Sequence, residues 1–151
     1  MQRQILIIGG GIVGLAIAIE LKSQGAAVTI LCRDFAEAAT HAAAGMLAPQ
    51  AEEIPPSPML DLCLESRALY PDWLHKLESL TGLDSGYWEC GILAPRYHRS
   101  ESPKWLDRAA LLTHQPDLSE EVVGGYWFAQ DAQVDNRALA KVLWIAAQEL
   151  G

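Results

Sequence analysis

The chain has 151 residues, half of them hydrophobic and one in five charged, which is enough for a domain with a buried core and unlike a disordered polymer. Its net charge of −8 and isoelectric point near 4.8 argue against nucleic acid and anionic membrane as partners, since both need basic patches. The three cysteines, Cys32, Cys63 and Cys90, form no C-x-x-C pair, so neither a disulfide framework nor a zinc site is indicated, and reduced thiols in the cytoplasm fit them.

Arg3 followed by an uncharged run to Ile19 imitates a signal peptide. The run is short for a membrane span, and Gly9-Gly10-Gly11 breaks it, so no targeting segment is expected. The same residues read better as a buried strand at 5–8, a glycine turn and a helix from Ile12 to Lys22. Gly25 stops the helix, and Ala26-Ala27-Val28-Thr29-Ile30-Leu31 is a second strand.

Gly9, Gly11 and Gly14 have the G-x-G-x-x-G spacing of dinucleotide-binding folds, inside a β-α-β unit of about 30 residues as that motif requires. Gly9 permits the tight turn, Gly11 lets backbone approach a pyrophosphate, and Gly14 lets the helix pack on the strand. The helix N-terminus then offers free N–H groups and a positive dipole end to a diphosphate.

The second strand leads into Cys32-Arg33-Asp34. An acidic residue is expected here to bond the adenosine ribose. Cys32 holds that position, and a thiol is a weak hydrogen-bonding group. Asp34 could reach in, backbone groups of Cys32 and Arg33 could serve, Arg33 could favour a 2′-phosphate as on NADP, or Arg33 and Asp34 are a solvated loop pair. Next, the run 39–52 is rich in small side chains that, with Gly45, let backbone approach a flat ligand, and Thr40 is able to cap a helix or bond a phosphate. The plainer reading of this run is a short Ala-rich helix in the core.

Ile54-Pro55-Pro56-Ser57-Pro58 is a stiff connector. Residues 59–80 are helical in pattern, with Leu62, Leu69, Trp73, Leu77 and Leu80 on one stripe, a kink or restart at Pro71, and a stop at Gly82. His41, His75, His98 and His114 have no metal-ligand spacing, and no metal site is expected. Gly86 to Ala94 reads as a strand ended by Pro95. Ser102-Pro103 opens a helix to about Leu112. Residues 122–129 read as a strand with a bend or bulge at Gly124-Gly125. Asp135 caps a last helix from Asn136 to Leu150.

The glycine turn together with Ala42-Ala43-Ala44-Gly45-Met46-Leu47-Ala48-Pro49-Gln50-Ala51-Glu52 resembles the glycine oxidase family of FAD-dependent amine oxidoreductases. The likeness continues through Ser66-Arg67-Ala68-Leu69-Tyr70-Pro71, Thr81-Gly82-Leu83-Asp84, Cys90-Gly91-Ile92-Leu93 and Asp131-Ala132-Gln133-Val134-Asp135-Asn136-Arg137-Ala138-Leu139.

The resemblance implies FAD as cofactor. Gly9, Gly11, Ile12, Val13 and Gly14 would then lie at the pyrophosphate, with Cys32 and Arg33 at the adenosine ribose. Ala39 and Thr40 would sit near the diphosphate and ribityl chain, and Ala44, Gly45 and Met46 against the flavin ring. The family usually has Glu at the position of Cys32. The implied reaction oxidises glycine with oxygen to an imine, then glyoxylate and ammonia, with peroxide as by-product. In thiamine biosynthesis the product passes to thiazole synthase. No catalytic residue is named, because hydride loss from a neutral amine needs no protein acid or base. Tyr87, Cys90, Tyr126 and Trp127 are candidates for lining the substrate site, with core packing the commoner outcome.

The fold class expected is α/β: a Rossmann-like FAD-binding β-α-β unit followed by an α+β insertion. Its segments are 1–54 for cofactor binding, 55–134 for the substrate domain, and 135–151 as a helix returning to the cofactor domain. Only two strands of the cofactor sheet can be counted, so a truncated form, inactive alone, is an alternative, and the full-length form is expected to be a homo-oligomer. A sarcosine or D-amino acid oxidase type of enzyme is a further alternative.

Overall fold

The computed structural model describes residues 4–151; Arg3, part of the signal-like pattern, lies outside them. The chain folds as β1 (Gln4–Ile8), α1 (Ile12–Ser23), β2 (Ala27–Leu31), a 3-10 turn (Ala39–Ala42), β3 (Met46–Leu47), α2 (Pro58–Thr81), β4 (Ile92–Arg96), β5 (Leu106–Asp107), α3 (Arg108–Leu112), β6 (Gly124–Phe128), β7 (Ala132–Gln133) and α4 (Asn136–Glu149). It divides into two compact units. One takes the chain up to Gly45 with Leu69–Tyr87 and Val134–Gly151; the other takes Met46–Ala68 and Trp88–Gln133.

In the first unit β1 and β2 pair in parallel, Gln4 opposite Ala27 and Ile8 opposite Leu31. The parallel pairing is made possible by the crossover through α1, since parallel strands need a long connection of this kind. Strand alternation puts Ile5, Ile7 and Ile30 on the more buried face and leaves Leu6, Ile8 and Leu31 exposed on the other. Helices α1 and α4 pack together, and the core is Leu15, Ala18 and Ile19 of α1 with Leu139, Ala140, Val142, Leu143 and Ala146 of α4. Complete burial of a Leu such as Leu15 or Leu143 stabilises by about 1.5–3 kcal/mol. Leu74 and Leu77 of α2 are buried as well.

The stripe expected on α2 is only partly used: Leu77 is buried, whereas Leu62, Leu69 and Leu80 are exposed. The helix is continuous through Pro71 and does not restart there. Proline has no N–H, so the carbonyl of Arg67, one turn earlier, loses its helical donor. The division between the two units falls just after that turn, at Ala68 and Leu69.

The second unit holds a three-stranded antiparallel sheet in the order β4-β6-β5, with α3 packed on β6, and the short antiparallel pair β3-β7. Three expectations need correction here. The strand expected at 86–94 lies at Ile92–Arg96 and contains Pro95 instead of ending before it. Its edge position explains this, because an edge strand tolerates a residue with no N–H. Trp88 makes only an isolated bridge, to Gln133. The helix expected from Ser102 is confined to Arg108–Leu112 and is capped by Asp107, whose side chain accepts the Ala110 N–H at 2.8 Å. Gly124 and Gly125 lie in regular register opposite Arg96 and Pro95, with no bulge. They are glycine because a Cβ on Gly124 would lie 2.2 Å from the Trp105 ring, and one on Gly125 would lie 2.4 Å from the Ala94 carbonyl oxygen.

Candidate functional site

The site is built around the turn between β1 and α1. Gly9 has φ +112°, a conformation open to glycine and strained for other residues, and its N–H bonds the Leu31 carbonyl at 2.9 Å. The chain thereby turns sharply off β1 while staying tied to the end of β2. Gly14 serves packing: a Cβ there would meet the Gly9 carbonyl oxygen at 2.0 Å. Gly10 is buried and has a role the motif spacing does not signal, since a Cβ on it would lie 2.7 Å from Cys32 Sγ. Cys32 thus packs against the turn itself.

Gly11 is the N-cap of α1 and has no side chain to cap it. The cap comes from Thr40, 28 residues later: its hydroxyl accepts the Ile12 N–H at 2.9 Å. Thr40 is 8 % exposed and lies on the 3-10 turn. A Cβ on Gly11 would come within 3.3 Å of the same hydroxyl. The first turn of α1 carries no acidic side chain, so its positive end is left for an anion. Val13, at the second position of the helix, is 69 % exposed.

The plain core-helix reading of the Ala-rich run does not hold. Only residues 39–42 are helical, as a 3-10 turn, and Ala39, Ala42 and Ala44 are exposed. The turn is held from α4: Asn136 donates its side-chain amide to the Thr40 carbonyl at 2.6 Å. Phe35 links the same parts, with its ring 4.9 Å from that of His41 and 4.7 Å from that of Trp144. Sequence reasoning did not single out Asn136, because a bond spanning 96 residues has no local signal. Gly45, with φ +74°, sits where a Cβ would meet the Val134 carbonyl oxygen at 2.0 Å.

Thus Gly9, Gly11, Ile12, Val13, Gly14, Cys32, Thr40 and Gly45 all fall in the first unit, most of them around one helix terminus. Met46 begins β3 in the second unit, with its side chain 44 % exposed. Arg33 points into solvent and pairs with Glu37 one turn later. Asp34 accepts the Ala36 N–H at 2.8 Å, a local turn bond. Cys32 also lines an open hollow of about 280 Å³, together with Leu15, Val28, Ile30, Trp144, Ala147 and Gln148.

Tyr87, Tyr126 and Trp127 all make ring contacts. Tyr87 stacks on Tyr70 at 6.2 Å, and burial pushes the Tyr70 phenol above its ordinary value, so its hydroxyl stays protonated. Trp127 lies against Gly91 and stacks on His114 at 4.3 Å. Tyr126 meets the Trp105 ring at 5.6 Å and lies under the Arg96 guanidinium at 5.6 Å. Cys90 is a half-buried free thiol. No helix among the described residues is long and apolar enough to cross a membrane.

A parallel β-α-β unit with a glycine turn and an uncluttered helix N-terminus is the framework of a dinucleotide-binding protein. The sequence model of one such group, "FAD dependent oxidoreductase" (DAO), matches residues 4–151, and the chain belongs to that family. The family's cofactor is FAD.

The chain is 58 % identical to the bifunctional protein ThiO/ThiG of Trichormus variabilis, over all of its own length and 25 % of that protein's. It is 33 % identical to the glycine oxidase of Geobacillus kaustophilus, over 99 % of this chain and 45 % of that one. The crystal structure of glycine oxidase from Bacillus cereus superposes with a TM-score of 0.87 at 28 % identity, over 99 % of this chain and 45 % of that chain. The chain therefore spans about a quarter of the length of its ThiO/ThiG relative.

The residues present fit a flavin dinucleotide. The glycine turn leaves no side chain over the helix N-terminus, the first turn holds no competing carboxylate, and a buried hydroxyl stands beside it.

Proposed function

We propose that this chain forms the FAD-binding portion of an amino acid oxidase whose substrate is glycine. The observation that carries the reading is the Thr40-capped N-terminus of α1, open to an anion and free of acidic side chains. The names of the relatives support the choice of substrate.

When bound, FAD supplies the two-electron acceptor for the carbon–nitrogen bond. Glycine, oxygen and water would give glyoxylate, ammonia and hydrogen peroxide. The chain's own residues bind and orient. With the Ile12 N–H taken by the Thr40 hydroxyl, the neighbouring backbone N–H groups at the start of α1 would face the diphosphate, an arrangement suited to an anion in a protein of net charge −8. The Thr40 hydroxyl spends a lone pair on the Ile12 N–H and keeps its own O–H to donate. Cys32 and Arg33 meet the adenosine ribose through backbone groups, since the thiol is a weak partner and the Arg33 side chain is engaged with Glu37. Ala39 would lie near the diphosphate and ribityl chain, and Ala44, Gly45 and Met46 would lie against the flavin ring, where the small residues Ala44 and Gly45 permit close approach.

In this reading residues 1–54 serve the cofactor, 55–134 the substrate domain, and 135–151 form the helix that returns, a functional division that differs from the compact units at 46–54, 69–87 and Val134. A thiazole synthase consumes the product, as the composition of the ThiO/ThiG relative suggests. The enzyme works in the cytoplasm as a homo-oligomer.

The test is a visible spectrum and a peroxide assay on the full-length protein that carries this sequence. Yellow protein with bound flavin that releases peroxide from glycine supports the reading. Protein that stays colourless after refolding with FAD sinks it.

A further inference from the structure

Helix α4 contributes more than core to the cofactor site. Its cap is complete without Asn136: the Asp135 carboxylate accepts the Arg137 N–H at 2.9 Å and the Ala138 N–H at 3.0 Å. Asn136 occupies the first helical position, where no intrahelical N–H bond is needed and even proline is at home. The helix does not require asparagine there.

The side chain instead reaches Thr40. Its Nδ2 donates to the Thr40 carbonyl at 2.6 Å, shorter than the 3.3 Å bond that the same carbonyl receives from the Ala43 N–H within the turn. The Thr40 hydroxyl in turn accepts the Ile12 N–H at 2.9 Å. Two side-chain bonds thus join the first residue of α4 to the first residue of α1 through one buried threonine. The Phe35 ring, wedged between His41 and Trp144, holds the turn near α4 by packing. Packing of that kind sets distance loosely, whereas hydrogen bonds set direction.

We propose that Asn136 is a positioning residue for FAD. By fixing the Thr40 carbonyl, it sets the rotation of the 3-10 turn so that the Thr40 hydroxyl caps α1 and directs its remaining O–H toward the diphosphate. This rests on the proposed FAD-binding role of the α1 N-terminus. It assigns a cofactor-ordering task to a residue far from the glycine motif in sequence.

The test compares wild type, Asn136→Asp, Asn136→Ala and Asn136→Gln in the full-length protein. Asn136→Asp keeps the shape but removes both donors and sets a carboxylate oxygen against the Thr40 carbonyl, while Asn136→Ala removes the contact altogether. FAD affinity is measured by titrating apoprotein, the flavin midpoint potential by equilibration with dyes, and apoprotein melting by calorimetry.

We expect N136D and N136A to weaken FAD binding by roughly fivefold to tenfold, the fold-change of one neutral hydrogen bond, and to shift the flavin potential. Apoprotein melting falls with the lost bond in N136D and N136A alike, and N136Q, which keeps the donor, restores most of the affinity. FAD binding within twofold of wild type in both N136D and N136A overturns the inference. A flavin potential unchanged in both N136D and N136A also overturns it, since loss of fold stability alone would then carry the affinity change. Wild-type protein that binds no FAD fails earlier and defeats the functional reading itself.

Discussion

A Cβ on Gly14 would lie 2.0 Å from the carbonyl oxygen of Gly9. The helix and the turn it follows are in backbone contact at that point, so the glycine is a packing requirement. Gly14→Ala forces α1 away from β1, and the overlap costs about 1–3 kcal/mol, as for an overpacked core position. A lowered urea midpoint at unchanged slope checks this, and a midpoint equal to wild type refutes the contact.

Gly45 combines two demands, a φ of +74° and a Val134 carbonyl oxygen 2.0 Å from where a Cβ would be. Gly45→Ala is therefore expected to cost about 2–4 kcal/mol, more than alanine at Gly14, because left-handed strain adds to overlap. Chemical denaturation of the two variants side by side gives the ranking.

Asp131 is fully buried and pairs with the guanidinium of Arg67, which is 12 % exposed; the Ala51 N–H also donates to it at 2.8 Å. Arg67→Ala leaves that carboxylate with a backbone donor and no countercharge. A loss of about 3–5 kcal/mol follows for such an orphaned buried charge. The double variant Arg67→Met with Asp131→Leu recovers much of the loss, and a thermodynamic cycle of the three variants measures the coupling.

The Asp135 carboxylate accepts the N–H groups of Ala138 and Arg137, and these bonds hold it below its ordinary range. A depressed folded value means that the ionised form is the one the fold favours. Its contribution is complete above the unfolded carboxylate value and is lost as pH falls through the folded value. Asp135→Ala is accordingly less stable than wild type at neutral pH, and the gap closes in acid. Asp135→Asn keeps an acceptor and flattens the dependence. Urea midpoints at neutral pH and near pH 3 check both.

The β-α-β framework was legible because its signals are local: an apolar run, a glycine spacing and a stop at Gly25 lie within one short stretch. The ends of β4 and α3 were not. Whether Pro95 ends a strand depends on that strand being an edge, which a neighbour decides. Ser102 looked like a helix cap, but its hydroxyl serves a local turn, accepting the Lys104 N–H at 3.3 Å, and the helix starts after Asp107. The α2 stripe misled for a related reason: periodicity shows which residues share a face, not which part of that face is covered. Within the site, the glycines and Thr40 could be read from residue type, whereas Gly10 against Cys32 and Asn136 against Thr40 needed the fold.

The Gly45 carbonyl accepts the Val134 N–H at 2.8 Å, so the chain returns to the point it left only after almost ninety residues. That closure has a kinetic meaning. The contacts within β1-α1-β2 are short-range and can form early, whereas α4 must await a large loop closure before it reaches α1. The packing of α4 on α1 is thus expected to form late in folding. Pulse-labelled hydrogen exchange during refolding would show amides of α1 protected before those of α4, and a nascent chain would have its glycine turn shaped well before Asn136 arrived to lock the threonine beside it.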